Sequence, residues 1–323
     1  MRSMRVLMTG ATGFLGRALA KRLVDDGHAL AAIVRGADAS LDALGVETIE
    51  GDATSLDAVI AAAAGRDAII HCAACTDPFA RIDDYYDANV RATDNVLAAC
   101  EVASVSRLVF TSCAGVVDGA APMRAPTPYL ATKALAERHV LAANGAELAT
   151  VAIRPHLLWG PGEKRWTARF AAHAREGNLR LFGEAGAAIG TCYVDNAADA
   201  HVAALERIAP GAAIAGRAYA VGQDEPTTAD AFVNGLLRAA GYPAETRRVS
   251  APATSLLAAT ARLRRRVSGA EPLLNPDSLA LFARKPADLS AARRDLDFAA
   301  RVTTSEGFAR VSAHLARERI RAR

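Results

Sequence analysis

The sequence predicts an α/β fold built on a doubly wound parallel sheet. Three observations carry that prediction. Short apolar strands alternate with amphipathic helices through the first half of the chain. The first strand runs into Gly10-Ala11-Thr12-Gly13-Phe14-Leu15-Gly16, a glycine turn that opens a helix. After Pro155 the texture changes, and Pro161, Gly162, Gly177, Gly183, Gly186 and Gly190 punctuate shorter elements.

Taken in order, Arg5–Thr9 reads as a strand and Phe14–Asp26 as a helix closed by Gly27. Ala29–Val34 and Glu47–Glu50 are the next strands, and Leu56–Ala64 is a helix stopped by Gly65. Asp67–His71 and Arg107–Thr111 are apolar runs of the kind buried on both faces, with a long helix, Ile82–Ala103, between them. Pro128–Asn144 is a helix closed by Asn144-Gly145, and Leu148–Arg154 a strand stopped by Pro155. Asn196–Ile208 is a helix, and short helices follow from Phe232 onward. The expected organisation is a Rossmann-like domain over residues 1–154 and a smaller, mainly substrate-binding lobe over 155–323. About 190–209 would pack back on the first domain.

The glycines have separate tasks. Gly10 allows a tight turn, Gly13 lets backbone approach a pyrophosphate, and Gly16 lets helix and strand pack closely. Together with Thr12, Phe14 and Leu15 they form a dinucleotide cradle, the phosphate charge sitting on free N–H groups at the helix start. The second strand ends in Arg35 where NAD binders usually carry an acidic residue, and no carboxylate competes until Asp38. Arg35 can pair with a 2′-phosphate, so NADP is preferred over NAD. Asp52, with Ala53, follows the third strand, where a carboxylate could meet the adenine amino group or simply cap the next helix. Ala73 and Ala74 leave room for the cofactor after the fourth strand, and Thr111 ends the fifth.

Tyr129 and Lys133 are four residues apart and share a helix face. A phenol is a poor proton donor at neutral pH until a nearby ammonium favours its ionised form. The same lysine can bond the nicotinamide ribose. The reacting oxygen needs a further hydrogen-bond donor, expected from the end of the fifth strand at Ser112 or Cys113.

Bulk properties exclude other classes. The chain has 323 residues, 51% of them hydrophobic, which is ample for a large core. A net charge of +3 gives no sign of a nucleic-acid partner. Basic residues cluster at Arg262, Arg264, Arg265 and Arg266 and again at Arg317, Arg319, Arg321 and Arg323. These read as solvated helix faces, the alternative being a basic stretch touching a membrane surface. No apolar run reaches the ~20 residues of a membrane span, and no signal peptide precedes the first strand. Five cysteines without scaffold spacing fit a reducing cytoplasm. Cys72 and Cys75, beside His71, read as the end of a buried strand, with no second pair at metal-ligand spacing and hence no metal.

Six stretches together resemble the extended short-chain dehydrogenase/reductase family over nearly the whole chain. They are Thr9–Gly16, Asn89–Asn95, Phe110–Cys113, Pro128–Lys133, Arg154–Pro161 and Tyr193–Asn196. Within it the chain looks most like the 3β-hydroxysteroid dehydrogenase-like branch, close to NAD-dependent epimerases and dehydratases. The resemblance implies hydride transfer between a nicotinamide and a ketone or secondary alcohol of an apolar substrate, a β-keto acid or a steroid. Tyr129 would be the acid/base and Lys133 would orient the ribose. Asn89 would hold the neighbouring strand, and Pro155 and His156 would lie beside the nicotinamide. The resemblance also implies a homodimer pairing the helices at 82–103 and 128–144. One departure matters. The family pattern has Thr-Ser-Ser after the fifth strand, and here the second Ser is Cys113, a weaker donor. A short connection from Cys113 to Tyr129 is a second departure, leaving a more open site.

Substrate contacts are expected from Thr76, Phe79, His156, Trp166, Cys192 and Tyr193, each of which could equally be lobe core. Three readings stay open: a ketone reductase or alcohol dehydrogenase, a nucleotide-sugar epimerase or dehydratase, and a weakly active cofactor-binding protein.

Overall fold

The computed structural model describes residues 3–116, 125, 127–164, 167–176, 179–181, 186–225, 227–242, 247–248, 256, 260, 263, 267 and 286–321. The chain opens with β1 (Arg5–Thr9), α1 (Phe14–Asp25), β2 (Ala29–Val34), α2 (Ala39–Asp42), β3 (Glu47–Glu50), α3 (Leu56–Ala63) and β4 (Ala68–His71). Next come α4 (Ile82–Tyr86), a π-helical turn (Asp87–Arg91), α5 (Ala92–Val102), β5 (Arg107–Thr111), α6 (Pro128–Ala142) and β6 (Ala149–Pro155). β7 (Leu157–Trp159), α7 (Thr167–Arg175), β8 (Arg180–Leu181), β9 (Ala188–Ile189), β10 (Thr191–Tyr193), α8 (Val194–Arg207) and β11 (Arg217–Val221) follow. The last elements are β12 (Thr227–Thr228), α9 (Ala229–Ala239), β13 (Arg247–Arg248), α10 (Ser290–Leu296) and α11 (Thr304–Arg321).

The main sheet has seven strands in the order β11-β6-β5-β4-β1-β2-β3. All its pairings are parallel. That order reverses direction between β1 and β4, the topological switch point of a Rossmann-like sheet. The central strands are apolar on both faces because helices cover both. β4 and all of β6 are buried, whereas β3, at the edge, keeps Glu47 and Glu50 exposed. On one face Leu7, Ile69, Leu108, Phe110 and Ala152 pack with Val59 of α3, Val96 of α5 and Ala136 and Val140 of α6. On the other, α1 packs along α8, whose buried alanines permit close approach.

The chain divides into two compact units. The first holds Met1–Pro155, Val194–Val221 and Asp288–Ala299, and the second His156–Tyr193, Gly222–Ala287 and Ala300–Arg323. Within the second, Trp159 is the hub. Its ring meets Tyr193, Phe232 and Phe308 at centroid distances of 5.2, 5.3 and 5.0 Å. A side chain at Gly307 would place Cβ 2.4 Å from the Trp159 ring, so only glycine lets α11 approach.

Several elements differ from the sequence reading. The expected single helix from Ile82 to Ala103 is interrupted by the π turn. Pro155 does not stop β6. It lacks an N–H, yet it pairs with Val221, and its carbonyl accepts the Ala114 N–H at 2.9 Å. β11 and α2 were not foreseen, the latter started by Asp38, whose carboxylate accepts from the Ser40 and Leu41 N–H groups. The C-terminal helix α11 runs 18 residues rather than being short. No helix among the described residues is long and apolar enough to cross a membrane. Arg262, Arg264, Arg265, Arg266 and Arg323 lie outside the described residues.

Candidate active site

The glycine turn lies at the C-terminal end of β1. Gly10 has φ +74°, a conformation side chains resist, and a Cβ there would sit 2.5 Å from the Ala73 nitrogen. A Cβ at Gly16 would come 2.0 Å from the Gly10 carbonyl oxygen. That carbonyl accepts the Gly13 N–H at 3.1 Å. Gly13 caps α1 with no side-chain bond, and the first turn carries no acidic residue. The helix-start N–H groups of Phe14 and Leu15 are therefore left for an anion, and the turn fits a dinucleotide pyrophosphate. Thr12 and Gly13 are exposed, Phe14 is half-buried and Leu15 is buried.

Across the switch point a chain of hydrogen bonds ties β1 to β4. Ala73 N–H donates to Thr9 Oγ1 at 3.3 Å, and Thr9 Oγ1 lies 2.6 Å from His71 Nδ1. His71 Nε2 lies 3.0 Å from Thr93 Oγ1, which donates to the Asn89 carbonyl at 2.7 Å. The carbonyl only accepts, so every proton in the chain is assigned: His71 carries its proton on Nε2 and accepts at Nδ1. Burial, followed by the Lys133 charge, pulls His71 down to about 3, so the ring is neutral. Its role is to fix the two strand ends where Ala73 and Ala74 stand.

Tyr129 and Lys133 lie on α6, opened by Pro128 in its first turn and by Thr127, which caps it through Leu130 N–H. Lys133 is 2% exposed, and its Nζ lies 4.0 Å above the Phe110 ring centre. Burial pulls its ammonium down to about 8, while Cys113, Cys72 and Glu137 favour the charged form. Tyr129 is half-buried, with its ring 6.4 Å from that of Tyr85.

Asn89, in the π turn, is wholly buried and holds this helix in place. Its Oδ1 accepts Cys75 N–H at 2.7 Å, and its Nδ2 donates to Thr132 Oγ1 at 3.0 Å. One side chain thus joins the loop after β4 to the first turns of α6. Glu137, one turn beyond Lys133, accepts two bonds from Arg154 of β6 at 2.9 and 2.5 Å. The sequence reading missed this pair. Its trace was the four-residue spacing from Lys133 to Glu137.

The end of β5 distributes its polar groups unevenly. Ser112 is 4% exposed, and its hydroxyl is buried with no partner among the described residues. Cys113 is partly exposed, and its carbonyl accepts the Val116 N–H at 3.0 Å. Its thiol is among the groups that favour the charged form of Lys133. Thr111 Oγ1 lies 2.9 Å from His201 Nε2, and His201 Nδ1 donates to the Ala197 carbonyl at 2.7 Å. Nε2 is then an acceptor, and Thr111 donates its hydroxyl to it. Most of the connection from Cys113 to Tyr129 lies outside the described residues.

At the far end of the turn Arg35 is exposed and acts electrostatically on Asp52. Asp52 accepts from Thr54 N–H and hydroxyl, both at 2.8 Å, and these bonds hold it below the usual carboxylate range. It closes the turn ahead of α3, and the Ala53 carbonyl accepts from Asn95 Nδ2 at 3.1 Å. Asp38 is bonded by Arg17 at 2.6 and 2.9 Å, so this carboxylate is already neutralised.

The residues expected at the substrate divide between the units. Thr76 is exposed and Phe79 half-buried in the first. In the second, Cys192 and Tyr193 are core residues rather than an open wall, 0% and 1% exposed, with Tyr193 edge-on to Trp159. His156 is packed against Gly190 and Gly222, and its Nε2 accepts the Ala287 N–H at 3.1 Å. Its ring is a packing group. Trp166 lies outside the described residues.

The chain has relatives among known proteins over nearly its whole length. A model of the 3-beta hydroxysteroid dehydrogenase/isomerase family matches residues 7–251. The chain belongs to this family. It is a nicotinamide-dependent oxidoreductase of the extended short-chain dehydrogenase/reductase type. The 2-alkyl-3-oxoalkanoate reductase of Stenotrophomonas maltophilia is 40% identical, covering 96% of this chain and 99% of that protein. The enzyme of the same name from Shewanella oneidensis is 34% identical, covering 95% and 85%. The solved structure of MoeE5 in complex with UDP-glucose and NAD shares the family's fold at TM-score 0.74 and 23% identity, covering 97% and 99%.

Proposed function

We propose that this chain is an NADPH-preferring ketone reductase acting on an apolar β-keto acid. The observation that carries the reading is the buried Lys133 ammonium one helical turn from Tyr129, beside the end of β5. The glycine turn would hold the pyrophosphate, Arg35 the 2′-phosphate, and Lys133 the nicotinamide ribose. The bound dinucleotide supplies a hydride to the substrate carbonyl carbon. Tyr129 gives the proton at its Oη to the carbonyl oxygen, and Lys133 makes that phenol a better acid–base at neutral pH. Cys113 contributes a thiol where a hydroxyl would be the stronger donor. A β-keto acid is the substrate class because two relatives covering nearly the whole chain are named for reducing 2-alkyl-3-oxoalkanoates. Five free thiols suit a reducing cytoplasm, and a homodimer belongs to the same reading, to be checked by sedimentation.

The test follows NADPH oxidation with a 2-alkyl-3-oxoalkanoate and with a 3-ketosteroid, together with fluorescence titration of NADPH and NADH. Turnover should vanish in Tyr129→Phe. Arg35→Ala should weaken NADPH binding about 10- to 100-fold, as losing a charge-assisted phosphate contact does, and leave NADH binding unchanged. Equal affinity for both dinucleotides would remove the Arg35 reading. Full turnover in Tyr129→Phe would remove the mechanism. Protein purified with NAD tightly bound, and no net NADPH consumption, would point to an epimerase or dehydratase instead.

A further inference from the structure

Lys133 presents an electrostatic problem that its immediate surroundings do not solve. The side chain is 2% exposed, and its Nζ lies over the Phe110 ring, 4.0 Å from the ring centre. A ring face attracts a cation weakly compared with the cost of burying it. The groups facing it from each packed element can be named. From β4 and the residue after it come His71 and Cys72, from the end of β5 Cys113, and from α6 itself Glu137. His71 is neutral, and burial pushes the Cys72 thiol up toward its protonated form. Glu137 is the carboxylate of the set. It lies one turn past Lys133 on the same helix face and is 3% exposed.

A carboxylate one helical turn past a lysine on the same face can pair with it directly. Arg154 of β6 prevents that. Its Nε donates to Oε2 at 2.9 Å and its Nη2 to Oε1 at 2.5 Å, the fork geometry that fixes a carboxylate in plane. Arg154 is 8% exposed and stands on the strand next to β5. The pair therefore clamps α6 to the sheet one turn beyond the proton-transfer residues.

We propose that Glu137, locked by Arg154, is a positioning residue that keeps Lys133 protonated and in place for its work with Tyr129. The proposal rests on the Tyr129–Lys133 reading above and extends it to two residues that touch neither substrate nor cofactor. Glu137 acts on Lys133 through its charge, and Arg154 limits how much of that charge Lys133 feels. The two substitutions must therefore move the lysine in opposite directions. A pair that served only to fasten helix to strand would weaken the fold in both variants and give no opposed shifts.

The chain has four lysines, Lys21, Lys133, Lys164 and Lys285, so the titration can be followed directly. With 13Cε-labelled lysine, Lys133→Met identifies the Lys133 resonance, and the wild-type midpoint is expected near pH 8. Glu137→Gln should lower that midpoint by about one unit, the scale of losing a nearby opposite charge. Arg154→Met should raise it. Shifts of the same sign, or no shift in either, would overturn the proposal. Should a single variant fail to fold, Glu137→Met with Arg154→Met removes both charges in one apolar replacement. The midpoint should still fall below wild type, and an unchanged midpoint there would overturn the proposal. The alkaline limb of the reductase rate should follow the same order. If the midpoints move and that limb stays, the Tyr129–Lys133 mechanism fails while the Glu137 assignment stands.

Discussion

Replacing Asn89 by alanine should separate the loop after β4 from the helix that carries Tyr129. Asn89 is 0% exposed, so its hydrogen bonds are made away from bulk solvent. The substitution orphans the Cys75 N–H, which now finds its acceptor at 2.7 Å. A buried unsatisfied donor costs about 1–3 kcal/mol. At the other end Thr132 Oγ1 loses the bond from Nδ2 at 3.0 Å but keeps carbonyl partners at Pro128 and Tyr129. That loss is a net hydrogen bond, about 0.5–1.5 kcal/mol. The sum is about 1.5–4.5 kcal/mol, a visible share of a stability of about 5–15 kcal/mol. With a urea slope near ~3 kcal/mol/M the midpoint should fall by about 1 M. Thr132→Ala and the double variant complete a cycle, and the two changes should couple, because both cut the same bond. Ketone turnover in Asn89→Ala should fall more than substrate affinity, because the α6 first turn loses its anchor. A destabilisation below about 0.5 kcal/mol, or strict additivity in the cycle, would show that the loop and helix are held by something else.

Other predictions concern the turn, the lysine and the thiol. Gly16→Ala would press a methyl to 2.0 Å from the Gly10 carbonyl, so it should cost about 1–3 kcal/mol as overpacking does and abolish dinucleotide binding measured by fluorescence. Lys133 has its proton affinity lowered on folding, so between about pH 8 and its ordinary range near 10.5 the unfolded chain binds the extra proton. Stability against urea should therefore gain from this residue as pH rises through that window, while the reductase rate falls once the ammonium is lost above about 8. Lys133→Met should flatten the stability gain and end turnover together, and a mutant that kept the gain would refute the assignment. Cys113→Ser should raise kcat by about three- to tenfold, the worth of about 1 kcal/mol of better hydrogen bonding. A fall in kcat would mean that the thiol does something a hydroxyl cannot.

The sequence showed most plainly what depends on neighbours along the chain. β1, β2, β4 and β5 are continuous apolar runs because both faces are covered, and such runs read directly from residue type. Gly10 and Gly16 read equally well, because a Cβ at either would press on backbone at 2.5 Å or less. Long-range partnerships did not read. Glu137 and Arg154 are 17 residues apart, and Asn89 and Thr132 are 43, so nothing local marks either pair. β11, Arg217-Ala-Tyr-Ala-Val221, runs from exposed Arg217 to buried Tyr219 and Val221 and becomes a strand by pairing with β6. Cys192 and Tyr193 illustrate a different limit, since an apolar residue on a core strand and one on a pocket wall are written with the same letters.

The π turn at Asp87–Arg91 has a consequence for chain length. Such a turn holds one residue more than the α-helical path needs, and the surplus is absorbed locally. Deleting one residue inside it would let the helix close into a regular spiral, with the packed sides of α4 and α5 left pointing where they do now. Deleting one residue of α5 ahead of Val96 would instead turn Val96, Ala99 and Cys100 by about 100° relative to the preceding π turn. The surplus residue is thus a removable insert whose removal costs the Asn89 bonds but keeps the register of the flanking helices. Insertions and deletions within this helix should be tolerated at that one place, with loss of catalytic alignment but with the fold intact.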